Sequence, residues 1–213
     1  MMTKKAHIKL LALLIIFLES AALFAQTNSL DSVCKSLASH PNTTGDFTQI
    51  KTLQTNGRKL TSKGVFIFSQ LGILWKTEKP FPSSLILTKD AMVQIAANGK
   101  KSVMSGKDNQ IFANISETLS SVFSGNVEAL QKNFECSFSE ADGEWNIFLN
   151  PKDSTIASVM KSLLLSGKWN GAYAELGFLE MTESSENTIR YEFTNQKYPK
   201  ELSADEKQNF VIE

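Results

Sequence analysis

Side-chain catalysis needs a nucleophile within reach of a base, and this sequence is poor in bases. It has two histidines, His7 and His40. His7 falls in a basic N-terminal stretch that leads into an apolar run, as targeting segments do, so His40 is the one imidazole downstream of it. A metal site built from several histidines of one chain is therefore excluded. His40 precedes Pro41 at the end of an amphipathic stretch, where a chain turn is expected. No Gly-x-Ser-x-Gly elbow occurs, and Gly99-Lys100-Lys101-Ser102 lacks the spacing of a phosphate loop. The carboxylate pairs Asp205/Glu206 and Glu183/Glu186 lie in polar stretches and read as solvated surface. Nothing favours a two-carboxylate glycosidase. The residues thus point away from an enzyme and call for no cofactor. Two cysteines remain. Cys34 shares a helical stripe with Leu30, Val33 and Leu37, and Cys136 alternates with Phe134 and Phe138. Both face apolar surroundings, as a disulfide or as two buried thiols; the Cα separation that decides between these is not in the sequence.

The chain has 213 residues, 42% hydrophobic and 21% charged, with no net charge. That is globular composition, which excludes disorder, collagen and coiled coil. The balanced charge offers no footprint for nucleic acid. Lys4, Lys5 and Lys9 precede an unbroken apolar run from Leu10 to Leu18, and Leu23-Phe24-Ala25 ends in a small residue before Gln26. The run is short against the roughly 20 residues of a membrane span. Residues 1–25 are therefore expected to be a cleaved secretory signal peptide, and 26–213 a single soluble domain. Losing Lys4, Lys5, Lys9 and Glu19 would leave 19 basic and 21 acidic residues. Secretion would also permit a disulfide.

The remaining elements must be strands for the most part. Asn56-Gly57, Asn98-Gly99, Asp142-Gly143 and Asn170-Gly171 each tolerate the positive φ of a tight hairpin. They separate strand-like segments 44–55 and 59–69, 91–97 and 100–105, 134–140 and 144–150, and 163–169 and 173–182. Segments 73–78, 84–89 and 187–195 bring the total to about eleven. Short connections between so many strands predict one large antiparallel sheet, curled or closed. Helices are expected over 29–39, 109–124 and 126–132, with a turn and short helix over 151–161. Ser203 and Glu206 have capping-box spacing. The 109–124 helix would put Ile111, Phe112, Ile115, Leu119, Val122 and Phe123 on one face. Phe66 with Phe68, Ile73 with Trp75, and Trp145 with Ile147 and Leu149 give the strands a bulky apolar face that something must cover. Periodicity alone leaves open whether that face bounds a filled core or a cavity.

Five stretches in order resemble the LolA-type periplasmic carriers of outer-membrane lipoproteins. They are Gly45-Asp46-Phe47-Thr48-Gln49, Ser62 to Phe68, Gly72 to Pro80 around Trp75, Ser84 to Thr88, and Leu149-Asn150-Pro151-Lys152-Asp153. The resemblance spans roughly residues 29–195. It implies an unclosed β-barrel with a helical lid or plug, whose concave apolar face holds acyl chains. Phe47, Phe66, Phe68, Ile73, Trp75, Leu85, Leu87, Trp145 and Ile147 would then line a lipid-binding cavity. The lid helix would turn Ile111, Phe112, Ile115, Leu119 and Phe123 inward. The implied function is a soluble, monomeric periplasmic carrier that shuttles acylated lipoprotein or another lipid cargo between an inner-membrane donor and an outer-membrane acceptor protein. The better-known carriers have an arginine before the tryptophan strand, where this chain has Ser69-Gln70-Leu71-Gly72. Gly72, Trp75, Thr77, Pro80 and Phe81 resemble a divergent branch, which implies as cargo another acylated or polyene lipid in place of lipoproteins. The alternative is a sensor or adaptor of the same fold that binds a protein partner.

Overall fold

The computed structural model describes residues 29–105, 118 and 120–212. Apolar alternation becomes eleven strands: β1 (Asn42–Thr52), β2 (Lys59–Ser69), β3 (Gly72–Lys79), β4 (Ser83–Leu87), β5 (Ala91–Ile95), β6 (Lys101–Ser105), β7 (Phe134–Ala141), β8 (Glu144–Pro151), β9 (Met160–Asn170), β10 (Tyr173–Glu183) and β11 (Thr188–Lys197). All eleven belong to one antiparallel sheet in the order β6-β5-β4-β3-β2-β1-β11-β10-β9-β8-β7. Two meanders, β1–β6 and β7–β11, are stitched together where β1 pairs β11 from Thr44↔Lys197 to Thr52↔Thr188. The order begins at β6 and ends at β7 without joining them, so the sheet is not closed into a barrel.

Period-2 alternation sends side chains to opposite faces. In β2 and β3, Phe66, Phe68, Ile73 and Trp75 join a large inner core, while Ile67 and Leu74 join a smaller cluster on the outer face. In β8, Trp145, Ile147 and Leu149 all point inward. The helices α1 (Leu30–Ala38), α2 (Val127–Asn133) and α3 (Ser154–Ala157) lie on the inner side and contribute Val33, Leu130 and Ile156 to its core. Ser29 caps α1 in a capping box. Ser36 Oγ of that helix accepts from Ala174 N at 2.6 Å, which pins α1 to β10. The outer cluster is closed by the C-terminal segment, through Leu202, Phe210 and Ile212 around α4 (Ala204–Gln208). Asn42 Nδ2 donates to the carbonyls of Pro199 and Lys200, both at 3.1 Å, and anchors that segment.

Local differences from the sequence expectations have local causes. The helix expected within 151–161 is confined to Ser154–Ala157, capped by Asp153. Met160 already pairs with Glu183 in the sheet, and Val159 O accepts from Ser184 N at 3.1 Å. Strand β1 stops at Thr52, because Leu53 N turns to Arg58 O and Gly57 N to Leu53 O. Most of the expected 109–124 helix lies outside the described residues; 120–124 are helical and end at Gly125.

Candidate functional site

Where the turns at the cleft end of β2–β3 and β4–β5 meet the end of α1 and helical residues 120–124, they enclose a cleft of about 660 Å³. Leu37, Phe68, Ile73, Leu87 and Phe123 supply its apolar wall. Alternation explains the choice: Ile73 and Leu87 pair across β3 and β4, and Phe68 pairs with Ile73 across β2 and β3. Phe68 also stacks on Phe123 with ring centroids 4.1 Å apart and planes at 27°. Gly72 makes the corner. Its φ of +142° disfavours other residues, and a Cβ there would stand 2.1 Å from the Leu87 carbonyl oxygen. The β2–β3 turn can therefore close tightly over β4.

The rim is polar. His40, Gln70, Lys89, Ser120 and Ser124 line it. His40 stacks on Tyr198 at 4.0 Å and meets the edge of Tyr173 at 5.2 Å. Its Nε2 is occluded from solvent and has no hydrogen-bond partner among the described residues. Burial, then Glu175 and Tyr173, push the Tyr198 hydroxyl up to about 12, so this cluster stays neutral on the tyrosine side. A second cleft, of about 750 Å³, opens on the outer face between β1–β3 and the α4 region. Asp46, Lys76, Asp205 and Glu206 line it, and Asn195 Nδ2 donates to Asp46 at 2.6 Å. The outer cleft is thus rich in carboxylates, whereas the inner cleft has none among its described lining residues.

Of the residues expected to line a cavity, Phe68, Ile73 and Leu87 are in the inner cleft's wall, together with Phe123 of the expected lid helix. Phe47, Phe66 and Trp75 are buried in the adjoining core. There Phe66 packs against Phe68 and Phe193 at 4.7 and 4.9 Å, and Trp75 against Tyr191 at 5.8 Å. Leu85 is half-buried against the same core. Trp145 and Ile147 are wholly buried away from the cleft. Ile111, Phe112, Ile115 and Leu119 lie outside the described residues. Cys34 and Cys136 are both free thiols. Burial chiefly, then Cys136 and Asp31, push Cys34 up to about 12, which keeps it an unreactive thiol. Sequence reasoning took Leu37 as helix core and His40 as a turn residue. His40 does turn, its N–H reaching Leu37 O at 3.4 Å, but its place beside Tyr198 had no local signal.

The sequence model of the outer membrane lipoprotein carrier protein LolA matches residues 39–208. No curated protein matches the chain in sequence. Among solved structures, a DUF1329 family protein from Desulfovibrio piger aligns at 10% identity over 82% of this chain and 92% of its own, with a TM-score of 0.48. A putative outer membrane lipoprotein-sorting protein domain from Vibrio parahaemolyticus aligns at 7% identity over 84% and 96%, with a TM-score of 0.43. The family match takes in every strand from β1 to β11 as well as α4, and on that extent the chain belongs to the LolA family of outer membrane lipoprotein carriers.

Proposed function

We propose that this chain is a periplasmic carrier that takes an acyl chain of lipoprotein or related lipid into the inner cleft and moves it toward the outer membrane. The observation that carries the reading is an apolar cleft in an unclosed sheet, in a chain of the LolA family. A volume of about 660 Å³ lies in the range of roughly 300–1,000 Å³ typical of small-ligand sites. Removing one methylene from water is worth about 0.8 kcal/mol, so a chain of about 16 carbons gains roughly 12 kcal/mol. The carrier need match only part of that gain to keep its cargo soluble. It must also let go, because transfer to an acceptor protein has only differences in affinity to drive it. A cleft that recovers only part of that gain satisfies both demands. The basic and apolar leader at residues 1–25 supports delivery across the inner membrane. The role is non-enzymatic: what the cleft presents is an apolar wall and a polar rim, with His40 held between tyrosines.

The test is to purify the protein from periplasm without detergent and weigh it by native mass spectrometry, with an organic extract alongside. A bound mass that extracts as an acylated molecule is the expected outcome. A bare mass, with no uptake of a fluorescent fatty acid, overturns the carrier reading.

A further inference from the structure

The lining of the inner cleft carries a charge asymmetry that the apolar wall does not require. Lys89 is exposed at the rim and has no carboxylate partner among the described residues. No aspartate or glutamate is among the described lining residues. Gln70, also exposed at the rim, has no side-chain hydrogen bond among the described residues. His40 adds a ring nitrogen that is occluded and without a partner. By contrast, three of the hydroxyls lining the cleft are already used. Ser69 Oγ donates to Gly72 O and accepts from Leu71 N, Thr88 Oγ1 donates to Ala91 O, and Ser124 Oγ donates to Ser121 O. The groups left over at the mouth are therefore one cation and polar groups able to donate.

We infer that the inner cleft selects an acyl lipid with an anionic head, its chain against Phe68, Ile73 and Leu87 and its carboxylate or phosphate at Lys89 and Gln70. The inference rests on the carrier reading and adds the class of cargo. An opposite charge at the mouth strengthens hydrogen bonds to the head, whereas a cationic head would meet Lys89 with no carboxylate among the described lining residues to offset it. The outer cleft differs in mixing Asp46, Asp205 and Glu206 with Lys76 and Lys197.

The purified full chain would be loaded with N-phenyl-1-naphthylamine, a neutral apolar fluorophore that reports the cleft whatever its charge. Dodecanoate, dodecyl phosphate, dodecanol and dodecyltrimethylammonium, used below their micellar concentrations, would then compete for it. Dodecanoate, dodecyl phosphate or both should compete about fivefold better than dodecanol, and the ammonium worse than dodecanol. Lys89→Gln should remove that preference, bringing dodecanoate and dodecyl phosphate to the level of dodecanol. Lys63→Gln, an equal charge change at an exposed position outside the cleft lining, should preserve it. Equal competition by all four, or a preference that survives Lys89→Gln, overturns the anionic-head inference while fluorophore uptake keeps the carrier reading. Failure to take up the fluorophore at all overturns the carrier reading itself.

Discussion

The two meanders share one alternation and differ in what covers it. In β8 and β9, Trp145, Ile147, Leu149 and Leu165 have no exposed surface, and Val33, Cys34 and Ile156 of the covering helices have none either. That half is a filled core. In β2–β4, Phe68, Ile73 and Leu87 stay about 4% exposed and border a cleft of about 660 Å³. The filled half even excludes a side chain: a Cβ on Gly167 would come within 2.4 Å of the Trp145 ring and 2.0 Å of Glu175 O. The cleft half instead stacks Phe68 on Phe123 and leaves space beside the pair. An apolar inward face is therefore not a sign of a cavity. Among the described residues, the same kind of inward face borders a cleft at β2–β4 and is filled at β8–β9.

The sharpest way to break this contrast is truncation in the two halves. Trp145→Ala should cost about 3–5 kcal/mol in urea unfolding, since the filled half cannot collapse around the hole. Ile73→Ala should cost about 2 kcal/mol, because part of its surroundings is already open. Equal losses would mean that the halves are packed alike. Phe68→Glu should reduce fatty-acid probe uptake at least about tenfold while the far-ultraviolet circular dichroism keeps its strand signature, since the carboxylate has the cleft to enter. Unchanged uptake would remove Phe68 from the binding surface. Alkylation by iodoacetamide at pH 8 sharpens the other side of the comparison. Cys34, with its thiol pushed up to about 12, should react more than about a hundredfold slower than a free thiol, and half-buried Cys136 should react before it. Rapid labelling of Cys34 in the native protein would contradict a filled core.

The smallest effect concerns the seam that joins the halves. Lys51 of β1 reaches Glu183 at the end of β10, with Nζ to Oε1 at 2.8 Å. Burial alone would raise the Glu183 carboxyl, but hydrogen bonds from Lys51 and Asn187 and the Lys51 charge outweigh it and hold it below its usual 4.5. Its stabilisation is therefore present at neutral pH and lost as pH falls from about 4.5 through the lower native value. Glu183→Gln should remove under about 1 kcal/mol at pH 7 and flatten the urea midpoint against pH in that window. An unchanged profile would show that the ion pair adds nothing to the seam.

Much of the architecture was legible in residue order. The Asp142-Gly143 pair takes φ of 53° and 76° in a two-residue hairpin between Ala141 and Glu144. The Ser203 cap and the short helix at Val127–Asn133 were equally local signals. β10 was not so transparent. Gly177 lies in a register shift between Leu176 and Phe178, so Ala174 and Leu176, then Leu179 and Met181, all reach the inner core. Phe178 instead lies under Arg190, whose guanidinium carbon is 3.4 Å from the ring centroid. Strict alternation would have grouped Phe178 with Leu176; the one local hint of the extra residue is Gly177 itself.

By itself, the sequence determined the strands, their turns, the inward sets of β2, β3 and β8 and the family resemblance, because each depends on neighbours a few residues apart or on an ordered series of such stretches. Only the tertiary structure decided which half of the sheet is filled, that Cys34 and Cys136 remain thiols, and that His40 meets Tyr198 at the cleft rim. Alternation states which way a side chain points. What it then meets is set by segments far away in the chain, and contacts at that separation leave no periodic trace in the order of residues.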